Sequence, residues 1–199
     1  MKTMRIMIVA VGGQGNILAA RVLGEAAVAA GITPRMSEFH GMAQRGGVVE
    51  SMVILGEGEG YCIADGEADV LLGFEPSETI RAAKKCGRQT VVITNLAPQP
   101  PFTVALGKEQ YPDIQGAMSL LADRVEQLFA FDAASLAAEA GSPMALNMVM
   151  LGALARSGKL PISQDIFRHT IQRVVKRMTE TNLKAFELGM QGAAVFDGR

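Results

Sequence analysis

The stretch Ser37-Glu38-Phe39-His40-Gly41-Met42-Ala43-Gln44-Arg45-Gly46-Gly47 interleaves three glycines with side chains that bind ligands. Glycine lets a backbone take positive φ or come close to a ligand, while Glu38, His40, Gln44 and Arg45 bring a carboxylate, an imidazole, a carboxamide and a guanidinium. Arg45 is a permanently charged planar fork suited to a carboxylate or phosphate, and Gln44 beside it both donates and accepts. The imidazole of His40 can serve as acid or base, although a solitary loop histidine also works as a plain structural hydrogen bonder. Gly41, Met42, Gly46 and Gly47 would then shape the backbone against a ligand. The alternative is a polar turn between two strands.

A second candidate lies upstream. The apolar run Arg5 to Val11 leads directly into Gly12-Gly13-Gln14-Gly15-Asn16, and glycines in such a place let an anion reach backbone N–H groups at a helix N-terminus. The spacing Gly13-x-Gly15-x-x-Leu18 lacks the third glycine of the dinucleotide fingerprint, yet Glu38 sits where a ribose-binding acid belongs. Three readings stay open here: NAD binding, a tight turn, or a site for another phosphate, carboxylate or cofactor.

Other constellations are poorer. Asp65-Gly66 followed by Asn95 echoes the magnesium-diphosphate motif of thiamine diphosphate enzymes, but Ala64 replaces its first glycine, and Asp65, Glu67 and Asp69 read as a solvated acidic turn. Cys62 and Cys86 form no C-x-x-C pair, so these thiols assemble neither a zinc site nor an iron–sulfur cluster, and no metal site is expected. His169 has no partner in view. Hydrolase and P-loop signatures are missing.

Elements that position the two glycine stretches follow from periodicity. Arg5–Val11 reads as a strand covered on both faces, and Ile17, Leu18, Arg21, Val22, Leu23, Ala26, Ala27 and Ala30 as a helix stopped by Gly31. Thr33–Phe39 is a second strand, giving a β-α-β unit that brings both stretches to one crevice. Val48–Leu55 is a third strand, expected to form a hairpin with Tyr61–Ile63. Val70–Phe74, Thr90–Asn95 and Leu128–Asp132 read as further strands. Helices are expected from Glu75 to about Cys86 and from Ile114 to Gln127, with a loop at Pro98, Pro100 and Pro101. From Ala133 onward the pattern is helical: to Ala140, over Ala145–Ala155, and from Ser163 to about Met190 with a break near Thr179, before a frayed tail. Met148, Leu151, Gly152 and Ala155 give the middle segment a close-packing face. A single three-layer α/β domain over residues 1–199 results.

Composition agrees with a soluble globule: of 199 residues, 49% are hydrophobic and 20% charged, enough for one substantial core. A net charge of −1 without basic runs argues against nucleic acid. No run of about 20 apolar residues exists to span a membrane, and the N-terminal run is too short for a signal-peptide core, so a cytoplasmic location is expected.

Three stretches together resemble the gamma-type subunit or domain of 2-oxoacid:ferredoxin oxidoreductases, most nearly the beta subunit of the indolepyruvate enzymes. They are Gly12-Gly13-Gln14-Gly15-Asn16-Ile17-Leu18-Ala19, Ser37 to Gly47, and Asn147-Met148-Val149-Met150-Leu151-Gly152-Ala153-Leu154. The resemblance implies a Rossmann-like αβα fold of the pyruvate:ferredoxin oxidoreductase domain III type with a helical C-terminal part. It implies oxidative decarboxylation of a 2-oxoacid to an acyl-CoA with reduction of ferredoxin, active only with a large partner subunit. That partner would hold thiamine diphosphate, magnesium and iron–sulfur clusters, and CoA would be a substrate. Gln44, Arg45 and His40, with the glycine-rich backbone, would form one wall of a site completed across the subunit interface. Gamma subunits for pyruvate, 2-oxoisovalerate or 2-oxoglutarate, and an NAD(P) dehydrogenase, are the alternatives.

Overall fold

The computed structural model describes residues 3–41, 47–57, 60–100, 104, 107 and 110–196. Its centre is one six-stranded sheet. The strands are β1 (Met4–Val11), β2 (Pro34–His40), β3 (Val48–Leu55), β4 (Ala68–Gly73), β5 (Cys86–Asn95) and β6 (Gln127–Phe131), in the order β2-β3-β1-β4-β5-β6. β1, β4, β5 and β6 run parallel, whereas β3 is antiparallel to both β1 and β2.

Strict alternation along the strands divides the core in two. Ile6, Ile8 and Ala10 of β1 face a large cluster shared with α1 (Asn16–Ala29), α4 (Ala133–Ala140), α5 (Leu146–Arg156), α6 (Gln164–Val174) and α7 (Thr179–Gly192). Met7 and Val9 face a smaller cluster shared with α2 (Pro76–Ala82) and α3 (Ile114–Ala122). This is the expected three-layer αβα arrangement, with one thick and one thin helical layer. α1 ends as expected at Gly31, whose φ of 74° allows the Ile32 N–H to reach back to the Ala27 carbonyl at 2.9 Å.

Several expectations need correction. β2 is not the neighbour of β1, because β3 lies between them. The reason is burial: β3 carries the unbroken buried run Ser51–Leu55, while β2 is mostly exposed, so the more apolar strand takes the interior slot. The hairpin is therefore β2–β3, and Tyr61–Ile63 forms no strand. Ile63 instead drops into the thin-layer core, and its N–H donates to the Met52 sulfur at 3.3 Å. α2 gives way after Ala82 to the 3-10 turn Ala83–Lys85, β5 begins at Cys86, and α3 ends at Ala122. The tail is not frayed as far as it is described: the Ala130 N–H donates to the Ala194 carbonyl and the Phe196 N–H to that of Leu128, sealing the β6 edge. The break near Thr179 is real, with Met178 at φ 52°.

The C-terminal layer rests on two glycines. Gly152 of α5 faces the Phe186 carbonyl of α7, and Gly189 of α7 faces the Val149 carbonyl, each so close that a Cβ would overlap the opposing backbone. Backbone cannot yield as a side-chain tip can. Gly152→Ala is expected to destabilise the protein by about 2–3 kcal/mol, read as a lower urea midpoint at unchanged slope. Unchanged stability would show that α5 and α7 can slide apart.

Candidate functional site

β1 and β4 are adjacent and parallel, yet their chains leave in opposite directions. β1 leads through Gly12–Gly15 to α1 on the thick side, and β4 leads through Phe74 and Glu75 to α2 on the thin side. The gap between the two connections is a topological switch point, where open α/β sheets take ligands.

The glycine turn is held from inside. Gln14 is buried, accepts from the Val11 N–H at 2.8 Å, and donates to the Phe74 carbonyl at 3.2 Å and to Gln99 Oε1 at 2.9 Å. It therefore spans both lips of the switch point. Asn16 is buried too: its Nδ2 donates to the Val49 carbonyl at 2.8 Å and, weakly, to that of Ile8 at 3.5 Å, while its Oδ1 has no partner among the described residues. Gly15 sits at φ 81°, and a Cβ there would come within 2.5 Å of Asn147 Nδ2, which donates to the Gly15 carbonyl at 3.3 Å. Gly13, at φ 103°, has open space where a Cβ would be.

α1 starts without a side-chain cap and without an acidic residue in its first turn. Its positive end is left to the crevice. α2 starts differently, with the carboxylate of Glu75 as its own cap.

The expected meeting of the two glycine stretches is visible at their bases. The Gly12 N–H donates to the Gly47 carbonyl at 2.8 Å, and the Gly41 N–H to the Val48 carbonyl at 2.9 Å. The loop between them therefore springs from the strand end beside the glycine turn. Met42, Gln44, Arg45 and Gly46 lie outside the described residues. His40 is exposed, and its Nε2 lies 3.7 Å from Glu38 Oε2. That pair stands on the strand leading into the loop.

Sequence reasoning missed the carboxylate across the crevice. Glu75, read only as an acid of a helix's first turn, is fully buried, and its oxygens accept from Ser77 Oγ at 2.5 Å, Glu78 N at 3.1 Å, Gln99 N at 3.4 Å and Tyr111 Oη at 2.5 Å. It thus ties together both ends of the proline-rich connection that follows β5. Burial, and then the facing Glu75 carboxylate, push the Tyr111 phenol well above its ordinary value. Nothing in sequence spacing links Glu75 to Gln99, Tyr111 or Gly15 to Asn147, because those contacts exist only once the sheet is assembled.

Asp65 and Asn95 do not fit a magnesium-diphosphate site. Asp65 is an exposed turn residue paired with Lys85 at 3.0 Å, which holds its carboxyl below the usual range. Asn95 is buried and spent on structure: Oδ1 accepts from the Ala97 and Ala133 N–H groups, and Nδ2 donates to the Phe74 and Ala97 carbonyls. Among the described residues no group of three or more His, Cys, Asp or Glu side chains is placed to hold a metal ion, and no helix is long and apolar enough to cross a membrane.

Sheet order, switch point and glycine turn together define an open, doubly wound α/β protein. The pyruvate ferredoxin/flavodoxin oxidoreductase family model matches residues 5–192, and the chain belongs to that family. It is 41% identical over 190 residues to the indolepyruvate oxidoreductase subunit IorB of Methanothermobacter thermautotrophicus, covering 95% of this chain and 97% of that protein. The subunit of the same name from Thermococcus kodakarensis is 39% identical over 196 residues, covering 97% of each. Among solved structures, the keto/oxoacid ferredoxin oxidoreductase gamma subunit from Geobacter sulfurreducens superposes with a TM-score of 0.67 at 25% identity, over 94% of this chain and 96% of that one. The resemblance and the fold class drawn from the three motifs therefore hold.

The Glu75–Tyr111 contact has a signed pH dependence. A phenol whose folded value is raised stabilises the fold below its unfolded value of about 10, and that contribution is lost as pH rises past it. Tyr111→Phe is expected to cost about 1 kcal/mol in urea unfolding at pH 7, with the deficit narrowing above about pH 10. A deficit that stayed constant across that range would break the assignment.

Proposed function

We propose that this chain is the non-cluster subunit of an indolepyruvate-type 2-oxoacid:ferredoxin oxidoreductase. The observation that carries the reading is the near full-length match, at 41% identity, to a protein named as an indolepyruvate oxidoreductase subunit. The looser 25% match is to a protein named only for keto or oxo acids, which favours the aryl substrate over the pyruvate, 2-oxoisovalerate and 2-oxoglutarate alternatives.

In the proposed reaction the bond between the carboxylate and the 2-oxo carbon breaks, and carbon dioxide leaves. Sulfur of CoA bonds to the former oxo carbon, the thiol releases its proton, and two electrons pass to ferredoxin. Thiamine diphosphate with magnesium, if held by the large partner subunit, would supply the electron sink for decarboxylation, and iron–sulfur clusters there would carry the electrons. This chain's share is binding and orientation. The uncapped end of α1 offers backbone N–H groups to an anionic part of the substrate or of CoA. Gly13 allows close approach of backbone, and Gln14 keeps the two lips of the crevice in register. Arg45, Gln44 and His40 would add a permanent charge, a carboxamide and an imidazole to the same anionic ligand. The assembled complex is expected in the cytoplasm.

The isolated chain should reduce no viologen or ferredoxin, whereas the co-expressed two-subunit complex should do so with indolepyruvate and CoA in preference to pyruvate. Arg45→Ala in that complex should lower kcat/KM by roughly thirty- to thousand-fold, the ~2–4 kcal/mol of a lost charge-assisted contact. Full turnover by the isolated chain, or by the complex without CoA, would defeat the proposal.

A further inference from the structure

Gln99 is exposed, yet it is fixed at its backbone and at its side chain. It stands in Pro98-Gln99-Pro100, where the ring of Pro100 confines the residue before it to extended conformations. Its backbone N–H donates to Glu75 Oε1 at 3.4 Å, and its side-chain Oε1 accepts from Gln14 Nε2 at 2.9 Å. Glu75 and Gln14 are both buried, so two polar groups withdrawn from water hold one that remains in it. A surface glutamine needs no such restraint for stability, because water satisfies its amide and ordering it costs rotamer freedom.

The orientation of the Gln99 amide follows from backbone groups that can act in only one way. The Val11 N–H can only donate, and it lies 2.8 Å from one end of the Gln14 carboxamide, which makes that end Oε1. The Phe74 carbonyl can only accept, and it lies 3.2 Å from the other end, which is therefore Nε2. The second proton of Gln14 Nε2 then falls to Gln99, so the Gln99 atom facing it is the oxygen. Gln99 Nε2 is left with no partner among the described residues. Glu75 does not compete for it, being already met by donors from Ser77, Glu78, Gln99 and Tyr111.

A donor fixed in this way stands one hydrogen bond from the glycine turn, where Gly13 has open space in place of a side chain. An N–H of this kind is matched by an acceptor oxygen, and an anionic oxygen gives the stronger bond.

We infer that Gln99 is a ligand-binding residue of the crevice: its Nε2–H donates to a carboxylate or phosphate oxygen of the bound anion, and Gln14 and Glu75 are positioning residues that act through it. The inference rests on the oxidoreductase reading above, under which that oxygen belongs to the 2-oxoacid or to CoA.

The two-subunit complex, assayed with indolepyruvate and CoA, carries the test. Gln99→Glu keeps an oxygen for Gln14 and removes only the donor, whereas Gln99→Leu removes both. Each should raise KM for one ligand about ten- to hundredfold, the effect of a lost hydrogen bond to a charged group, with kcat within about twofold of the parent. A rise for indolepyruvate assigns the carboxylate, and a rise for CoA the phosphates. Both variants should melt with the parent complex, since the side chain is exposed; melting well below it would mark a structural role and overturn the inference. A KM defect in Gln99→Leu alone would make the residue a structural tie to Gln14, and one in Gln99→Glu alone would reduce to repulsion by the new charge. Either overturns the inference, as do parent-like KM values in both. Weaker association with the large subunit at unchanged KM values would assign the amide to the subunit contact and overturn it too. In each of these cases the oxidoreductase reading stands. Absence of 2-oxoacid turnover by the unmodified complex overturns both.

Discussion

The antiparallel pairing of β3 with β1, continuous from Met4–Leu55 to Val11–Val48, is the constraint from which the rest of the structure follows. It brings the return arm of the glycine-rich loop to the C-terminal end of β1, where the Gly12 N–H meets the Gly47 carbonyl. It puts the Val49 carbonyl within reach of Asn16, so the first residue of α1 is anchored to the hairpin. It also uses up the slot that a parallel strand and its crossover helix would occupy, so that no described helix joins β2 to β3 or β3 to β4. One pairing choice therefore sets both the base of the glycine-rich loop and the anchor of α1.

Polar burial at the switch point is selective. Glu75 is fully buried, and leaving such a carboxylate without donors would cost several kcal/mol; four donors surround it, so it serves as a rigid anchor for α2 and for both ends of the following connection. Asn16 is the opposite case. Its amide group does the anchoring while its Oδ1 has no partner among the described residues, at the first residue of the helix that faces the crevice. The two lips are therefore unlike: one closed by its own carboxylate, the other open and positively polarised.

Much of this was legible in the chain itself. The apolar runs at Arg5–Val11, Val70–Phe74 and Thr90–Asn95 announce doubly covered strands, and Gly31 and Gly141 mark helix ends by their need for positive φ. Strand order was not legible. Periodicity reports which residues face a core but not which strand lies beside which, and the exposure of β2 relative to β3 decided that order only in three dimensions. The candidate site divides in the same way. Gly12 to Asn16 could be found from the glycines and the strand before them. Glu75, Gln99, Tyr111 and Asn147 could not, since they are distant in sequence from the turn they support.

Asn95 is spent on the fold rather than left free for a ligand. A carboxamide at the C-terminal end of a parallel strand is well placed to bind a ligand, but all its hydrogen-bonding capacity is committed to Phe74, Ala97 and Ala133. Gln14 is committed likewise to Val11, Phe74 and Gln99. Among the described residues, the Gln14 and Asn95 side chains are thus occupied in holding the shape of the crevice, and the uncapped start of α1 and the glycines around it leave backbone facing it. Backbone N–H groups bind anions and orient them, but they neither accept electrons nor take up protons at neutral pH. A wall built in this way contributes geometry, and in the proposed reaction the groups that carry electrons would belong to the partner subunit.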